Sequence, residues 1–253
     1  MFLSRQSILI FPLLAMLVVS KPFEETNEHH IEKRAIKAGP DTLIIVPPIT
    51  NRNKWPRVVA TGMIQIPIAI RTTDYSREEL AVFHQGMADI QNKTCVRFVN
   101  RTSQPDYVFV RDAGQGKCGA LIGKVGGIQY LSLTPACMRI RKKCIHEMVH
   151  ILGFHHMHQR FDRDHFLDIK WGNIKEANKF AFARYDNKWE AYGTGYDPWS
   201  CMHYTRKGFS KNTFDTIVPK NKEWLDVIGT QLTLSKGDAT RINRMYECPH
   251  PYT

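Results

Sequence analysis

The segment His146-Glu-Met-Val-His150-Ile-Leu-Gly153-Phe-His-His156, running on to Arg160-Phe-Asp-Arg-Asp164, orders the rest of the chain. His146 and His150 are four residues apart. On an α-helix that spacing stacks both imidazoles on one face, where they can grip one metal ion. Glu147 follows the first histidine, the position from which a carboxylate reaches water at the metal rather than the metal itself. Gly153 can adopt positive φ, end the helix and turn the chain. His156 would face elsewhere on a continuous helix, because six residues is about 600° of rotation. After a turn at Gly153 it can complete a three-histidine site with an open position. Neutral imidazoles suit Zn²⁺, one ion per chain, and the open position suits water. Glu147 is then the expected general base for that water and the proton donor to a leaving amine.

Outward from this segment, a helix is expected from about Arg139 to Leu152. Met63-Ile-Gln-Ile-Pro-Ile-Ala-Ile70 reads as a strand whose proline places it near an edge or kinks it. Ser76 and Glu79 form a capping box for a helix whose Leu80, Phe83, Met87 and Ile90 recur at core spacing. Val96–Val99, Tyr107–Val110 and Ile128–Leu133 read as short strands. Near the end, Ser235 caps a helix with Asp238 three residues on, and Ala239, Ile242 and Met245 make its apolar face.

The 253 residues suit one domain plus processing segments. Residues 1–20, with Arg5 before an apolar run from Ile8 to Val19, read as a secretory signal peptide. No other stretch is apolar enough to cross a bilayer. Residues 21–52 are polar, carry Pro47-Pro48 and read as a pro-segment, with Lys33-Arg34 and Arg52 as possible cleavage points; residues 53–253 are the catalytic domain. Six cysteines in an exported chain suggest disulfides, and Asn92 and Asn100 head glycosylation sequons. The net charge of +11 comes without any nucleic-acid-reading motif, so nucleic acid is not an expected partner.

The central segment matches the zinc metzincin pattern H-E-x-x-H-x-x-G-x-x-H. Its tail and Ser200-Cys-Met202-His203-Tyr204 downstream resemble the astacin family and that family's Met-turn. The resemblance covers roughly residues 53–248. It implies an α+β, metzincin-like two-lobed catalytic domain. The N-terminal lobe would hold a twisted, mainly parallel sheet and two long helices, and the C-terminal lobe would be mostly irregular with one helix. It implies a secreted zinc endopeptidase made as a zymogen, a monomer without membrane anchor, holding a protein or peptide substrate in an extended cleft. Tyr204 would lie near the metal and donate to the tetrahedral oxyanion, and Met202 would form an apolar floor under the histidines. Asp41, in Gly39-Pro40-Asp41, is the candidate inhibitory ligand of the pro-segment, or a turn residue. His155, His158 and His203 are not expected to bind metal.

The same resemblance pairs Cys95 with Cys248 and Cys118 with Cys137. Cys144 and Cys201 remain; they form a third bridge beneath the metal or stay as free buried thiols. One departure stands out. Many family members carry Glu after the third histidine, paired with the new N-terminus; here the residue is Met157, so that buried pair is not expected. The chain stops five residues after Cys248, so no accessory module is expected. The competing reading is a catalytically idle, protease-like binding protein, against which stand His146, Glu147, His150, His156 and Tyr204, all present.

Overall fold

The computed structural model describes residues 43–45, 49–50, 52–114, 116 and 118–249, the first three as backbone only. The signal-peptide segment, Lys33-Arg34 and Asp41 lie outside the described residues.

Isoleucines at alternate positions make Ile64–Ile70 (β2) a strand, and Ile64, Ile66 and Ile68 are buried. A parallel crossover then runs through Arg77–Lys93 (α1) to Val96–Asn100 (β3). Tyr107–Arg111 (β4), Gly119–Ala120 (β5) and Ile128–Ser132 (β6) complete a five-stranded sheet of order β3-β2-β4-β6-β5. Only β5 is antiparallel to its neighbour. The proline strand is therefore internal, not an edge. Pro67 is tolerated because the β2–β4 ladder covers only Ile68 to Ile70, leaving its missing N–H outside that ladder.

The Ser76–Glu79 capping box starts α1. Phe83 and Ile90 are buried, with Leu80 and Met87 packed at the margin. Gly86 lets α1 approach the helix Arg141–Ile151 (α2): a Cβ there would meet Met148 Cε at 3.2 Å and Cys144 Cβ at 3.4 Å. The expected helix start at Arg139 is displaced. A one-turn helix, Pro135–Met138, capped by Thr134, comes first, and Ile140 is extended before α2 begins.

Beyond α2 the chain is mostly short turns, with one antiparallel pair, Leu167–Ile169 (β7) and Ile217–Pro219 (β9). The last helix, Lys236–Met245 (α3), begins at the Ser235–Asp238 capping box. Its Ala239, Ile242 and Met245 join the core of the sheet lobe, while Met157, Leu167, Ile174, Phe182 and Ile217 form a second core. Leu43–Ile45 (β1) pairs in parallel with Arg184–Asp186 (β8), and Ile49 packs on the first core. Part of the segment expected to lack regular structure is thus a strand, consistent with the apolar run Leu43-Ile-Ile-Val46. No helix of the described residues is long and apolar enough to cross a membrane.

Candidate metal centre

The turn after α2 is made as its glycine suggests. Gly153 has φ +108°. Its N–H donates to His150 O (2.8 Å) and Phe154 N–H donates to Val149 O (3.3 Å), the paired bonds of a Schellman motif. The chain then returns so that His156 Nε2 lies 3.1 Å from His146 Nε2 and 3.3 Å from His150 Nε2. Two nitrogens bound tetrahedrally to zinc at 2.0–2.1 Å would be about 3.3 Å apart, so this donor set fits the ion. Among the described residues it is the one cluster of potential ligands with that convergence.

Each ring is turned by a bond from its other nitrogen. His146 Nδ1–H donates to Cys201 O (2.9 Å), His150 Nδ1–H to Phe154 O (2.7 Å), and His156 Nδ1–H to Gln159 Oε1 (2.9 Å). All three Nε2 lone pairs are left facing one point. Burial pushes His146 down to about 4, with Lys142 adding to the effect. Burial and then the neighbouring histidines hold His150 and His156 well below the usual imidazole range. Neutral rings at pH 7 are what a metal requires.

Glu147 is buried and lines a cleft of about 910 Å³ together with the three histidines, Tyr204 and Phe209. The Tyr204 ring is 4.6 Å from that of His156 and packs on His158 at 4.0 Å. The other histidines are committed elsewhere. His158 Nε2–H donates to Ala181 O, and His203 accepts from Tyr196 Oη while its Nδ1–H donates to Tyr204 O. His155 is bound to Glu190.

Met202 is fully buried, and its carbonyl accepts the Met157 N–H (2.9 Å). The turn that carries it is held from α3. Asp238 accepts from Ser200 Oγ (2.6 Å) and Cys201 N–H (2.8 Å) and pairs with Arg241 at 2.6 Å. Burial alone would raise the Asp238 carboxyl; Arg241 and these donors outweigh it and hold it below the ordinary value. Met157 is buried and belongs to the apolar cluster of the second core. Sequence reasoning missed Gln159, Glu190 and the clamp role of Asp238. Of the three, only Asp238 carried a signal, and that signal was for a helix cap.

Cys95–Cys248 and Cys118–Cys137 are bonded. The third bridge is not formed: Cys144 and Cys201 are free and buried. Cys144 Sγ faces the carbonyls of Met138 (3.6 Å) and Cys137 (3.9 Å), whereas residue 201 is held by Asp238. Asn92 and Asn100 are both exposed.

Comparison with known proteins shows the family. The family model of the astacin peptidases matches residues 50–247. Zinc metalloproteinase nas-7 of Caenorhabditis elegans is 41% identical over 197 residues, covering 77% of this chain and 48% of that protein. The astacin-like metalloendopeptidase of Mus musculus is 34% identical over 230 residues, 89% of this chain and 50% of its own length. The chain thus spans about half the length of the curated relatives it matches. The solved structure of high choriolytic enzyme 1, a hatching enzyme zinc-protease from Oryzias latipes, superposes with TM-score 0.74 at 33% identity, covering 81% of this chain and 99% of that one.

Proposed function

From the premise that the chain belongs to the astacin family of peptidases, we propose that it is a secreted zinc-dependent endopeptidase, made as a zymogen, that hydrolyses peptide bonds in extracellular proteins. One observation carries the reading: three neutral imidazole lone pairs converge at one point of an open cleft, with the Glu147 carboxylate in the same wall.

His146, His150 and His156 would hold one Zn²⁺. Bound there, zinc supplies Lewis acidity, polarising the scissile carbonyl and making water acidic near neutral pH. Glu147 takes one proton from the attacking water as its oxygen bonds to the carbonyl carbon. The resulting tetrahedral oxyanion receives a hydrogen bond from the Tyr204 hydroxyl. Glu147 then delivers the proton to the amide nitrogen as the C–N bond breaks, leaving a carboxylic acid and an amine. Met202 would do no chemistry; it would form the apolar floor that the family resemblance implies, while its carbonyl accepts the Met157 N–H.

Latency is supported by the N-terminal side of the chain. β1 pairs with β8, and Ile49 lies 3.3 Å from where a Cβ on Gly153 would sit, so residues before the domain rest against the turn that builds the site. Asp41 is the proposed inhibitory ligand. The test is casein digestion by the trypsin-activated protein against its Glu147→Gln variant, with zinc content measured in both. Digestion by wild type alone supports the proposal. Equal idleness, with zinc bound in both, leaves a protease-like binding protein.

A further inference from the structure

His156 is held between two pins. On its C-terminal side, Met157 N–H donates to Met202 O at 2.9 Å. On its N-terminal side stands Glu190, in the short turn Lys188–Ala191 that follows β8. Glu190 is 1% exposed, and both of its oxygens go to one residue. Oε2 accepts the backbone N–H of His155 at 3.0 Å, and Oε1 accepts the His155 Nδ1–H. Tyr185 of β8 meets the same imidazole edge to face at 4.8 Å.

A carboxylate removed from water is costly unless its oxygens are well paired. Here the whole pairing is spent on fixing the main chain and ring of the residue directly before the third histidine. The intervening stretch is the part of the site with least regular structure: Gly153 is at φ +108°, and residues 154–156 belong to no helix or strand. The chain on either side is held by its own bonds, Phe154 O accepting from the His150 ring and His156 O accepting the Gln159 N–H at 3.1 Å, and Glu190 adds the hold at residue 155 between them.

We propose that Glu190 is a positioning residue for zinc: by clamping His155 it presets the direction from which His156 approaches, and so raises metal affinity in the folded protein. The proposal rests on the three-histidine reading of the centre. It assigns Glu190 no contact with substrate or metal.

The test compares wild type with Glu190→Ala, Glu190→Gln and the double variant His155→Phe/Glu190→Leu. Zinc affinity is read by competition with a chelator, and amide hydrogen exchange of residues 154–157 is read in the zinc-free proteins. Glu190→Ala should bind zinc about ten- to a hundredfold more weakly, the range for losing a group that orients a metal-bound histidine. Its residues 155–157 should exchange faster before metal is added. Glu190→Gln keeps an oxygen for the backbone N–H and should fall between; it decides the matter if Glu190→Ala does not fold. The double variant removes both polar groups together, so it should recover thermal stability without recovering zinc affinity. Native zinc affinity in the single variants, or its full return in the double variant, overturns the proposal and leaves a packing role. A wild type that takes up no zinc would instead overturn the metal centre, and this proposal with it.

Discussion

Gln159 shows how much of the proposed metal site rests on one neutral amide. Its Oε1 accepts the His156 Nδ1–H at 2.9 Å, and the residue is 3% exposed. That bond selects the tautomer whose Nε2 lone pair faces the other two rings. His146 and His150 obtain the same service from main-chain carbonyls, which no substitution can delete. Gln159 is thus the one tautomer-setting partner open to mutation. Gln159→Ala is expected to weaken zinc binding by roughly ten- to a hundredfold with the fold intact. Chelator competition measures the loss, and unchanged affinity would show that the bond orients nothing. Neither Gln159 nor Glu190 was visible in the sequence, for a physical reason. The ligand triad is written in spacing along one helix and one turn. The groups that aim it are chosen by where distant segments return, and a buried glutamine or glutamate has no local pattern to mark it.

At the scale of elements, what the sequence disclosed was what neighbours in the chain decide. The capping boxes at Ser76 and Ser235 are closed by residues three positions on, and both formed. Gly153 turned where its freedom at positive φ allowed. What escaped was decided across space: the internal place of the proline strand, the Gly86 contact between α1 and α2, and the pairing of β1 with β8. Asp238 belongs to both groups. It is the third residue of a cap, and it also reaches out of α3 to hold Ser200 and Cys201. Asp238→Asn leaves Arg241, 2% exposed, without its counter-charge. The expected cost is roughly 3–5 kcal/mol in urea unfolding, the range for breaking a buried pair. The acid dependence has a definite sign. The folded carboxyl is held below its unfolded value of about 3.9, so its contribution is present above that pH and is lost as pH falls through the folded value. Wild type should lose stability over that acid range more steeply than Asp238→Asn; parallel declines would exclude the clamp.

Across the whole molecule, the two-lobed architecture and the Cys95–Cys248 bond followed from the family resemblance, but the place of α3 in the core of the sheet lobe did not. α3 comes last in the chain, yet its apolar face completes the core of the sheet lobe, and Cys248 just beyond it is bonded to Cys95, directly before β3. The same helix clamps the Met202 turn through Asp238, so the end of the chain holds the turn whose Cys201 carbonyl accepts from His146 Nδ1. The disulfide spans 153 residues. Closing so long a loop restricts the unfolded chain strongly, and its removal is expected to cost about 2–5 kcal/mol. Cys95→Ser/Cys248→Ser should therefore unfold at lower urea concentration, and it should also release zinc more readily, because α3 loses its covalent tie to the sheet lobe. Opening Cys118–Cys137, which closes a loop of only 19 residues beside the cleft, should cost less. The free thiols supply the control. Burial pushes Cys144 up to about 12 and Cys201 well above the ordinary thiol value, so neither should react with iodoacetamide in the native protein. Unfolding without reductant should expose these two alone, and a peptide map showing residues 144 and 201 bridged would contradict this account of how the lobes are held. If the double serine variant unfolds earlier but keeps native zinc affinity, the tie serves the fold only, and support of the metal centre rests on Asp238.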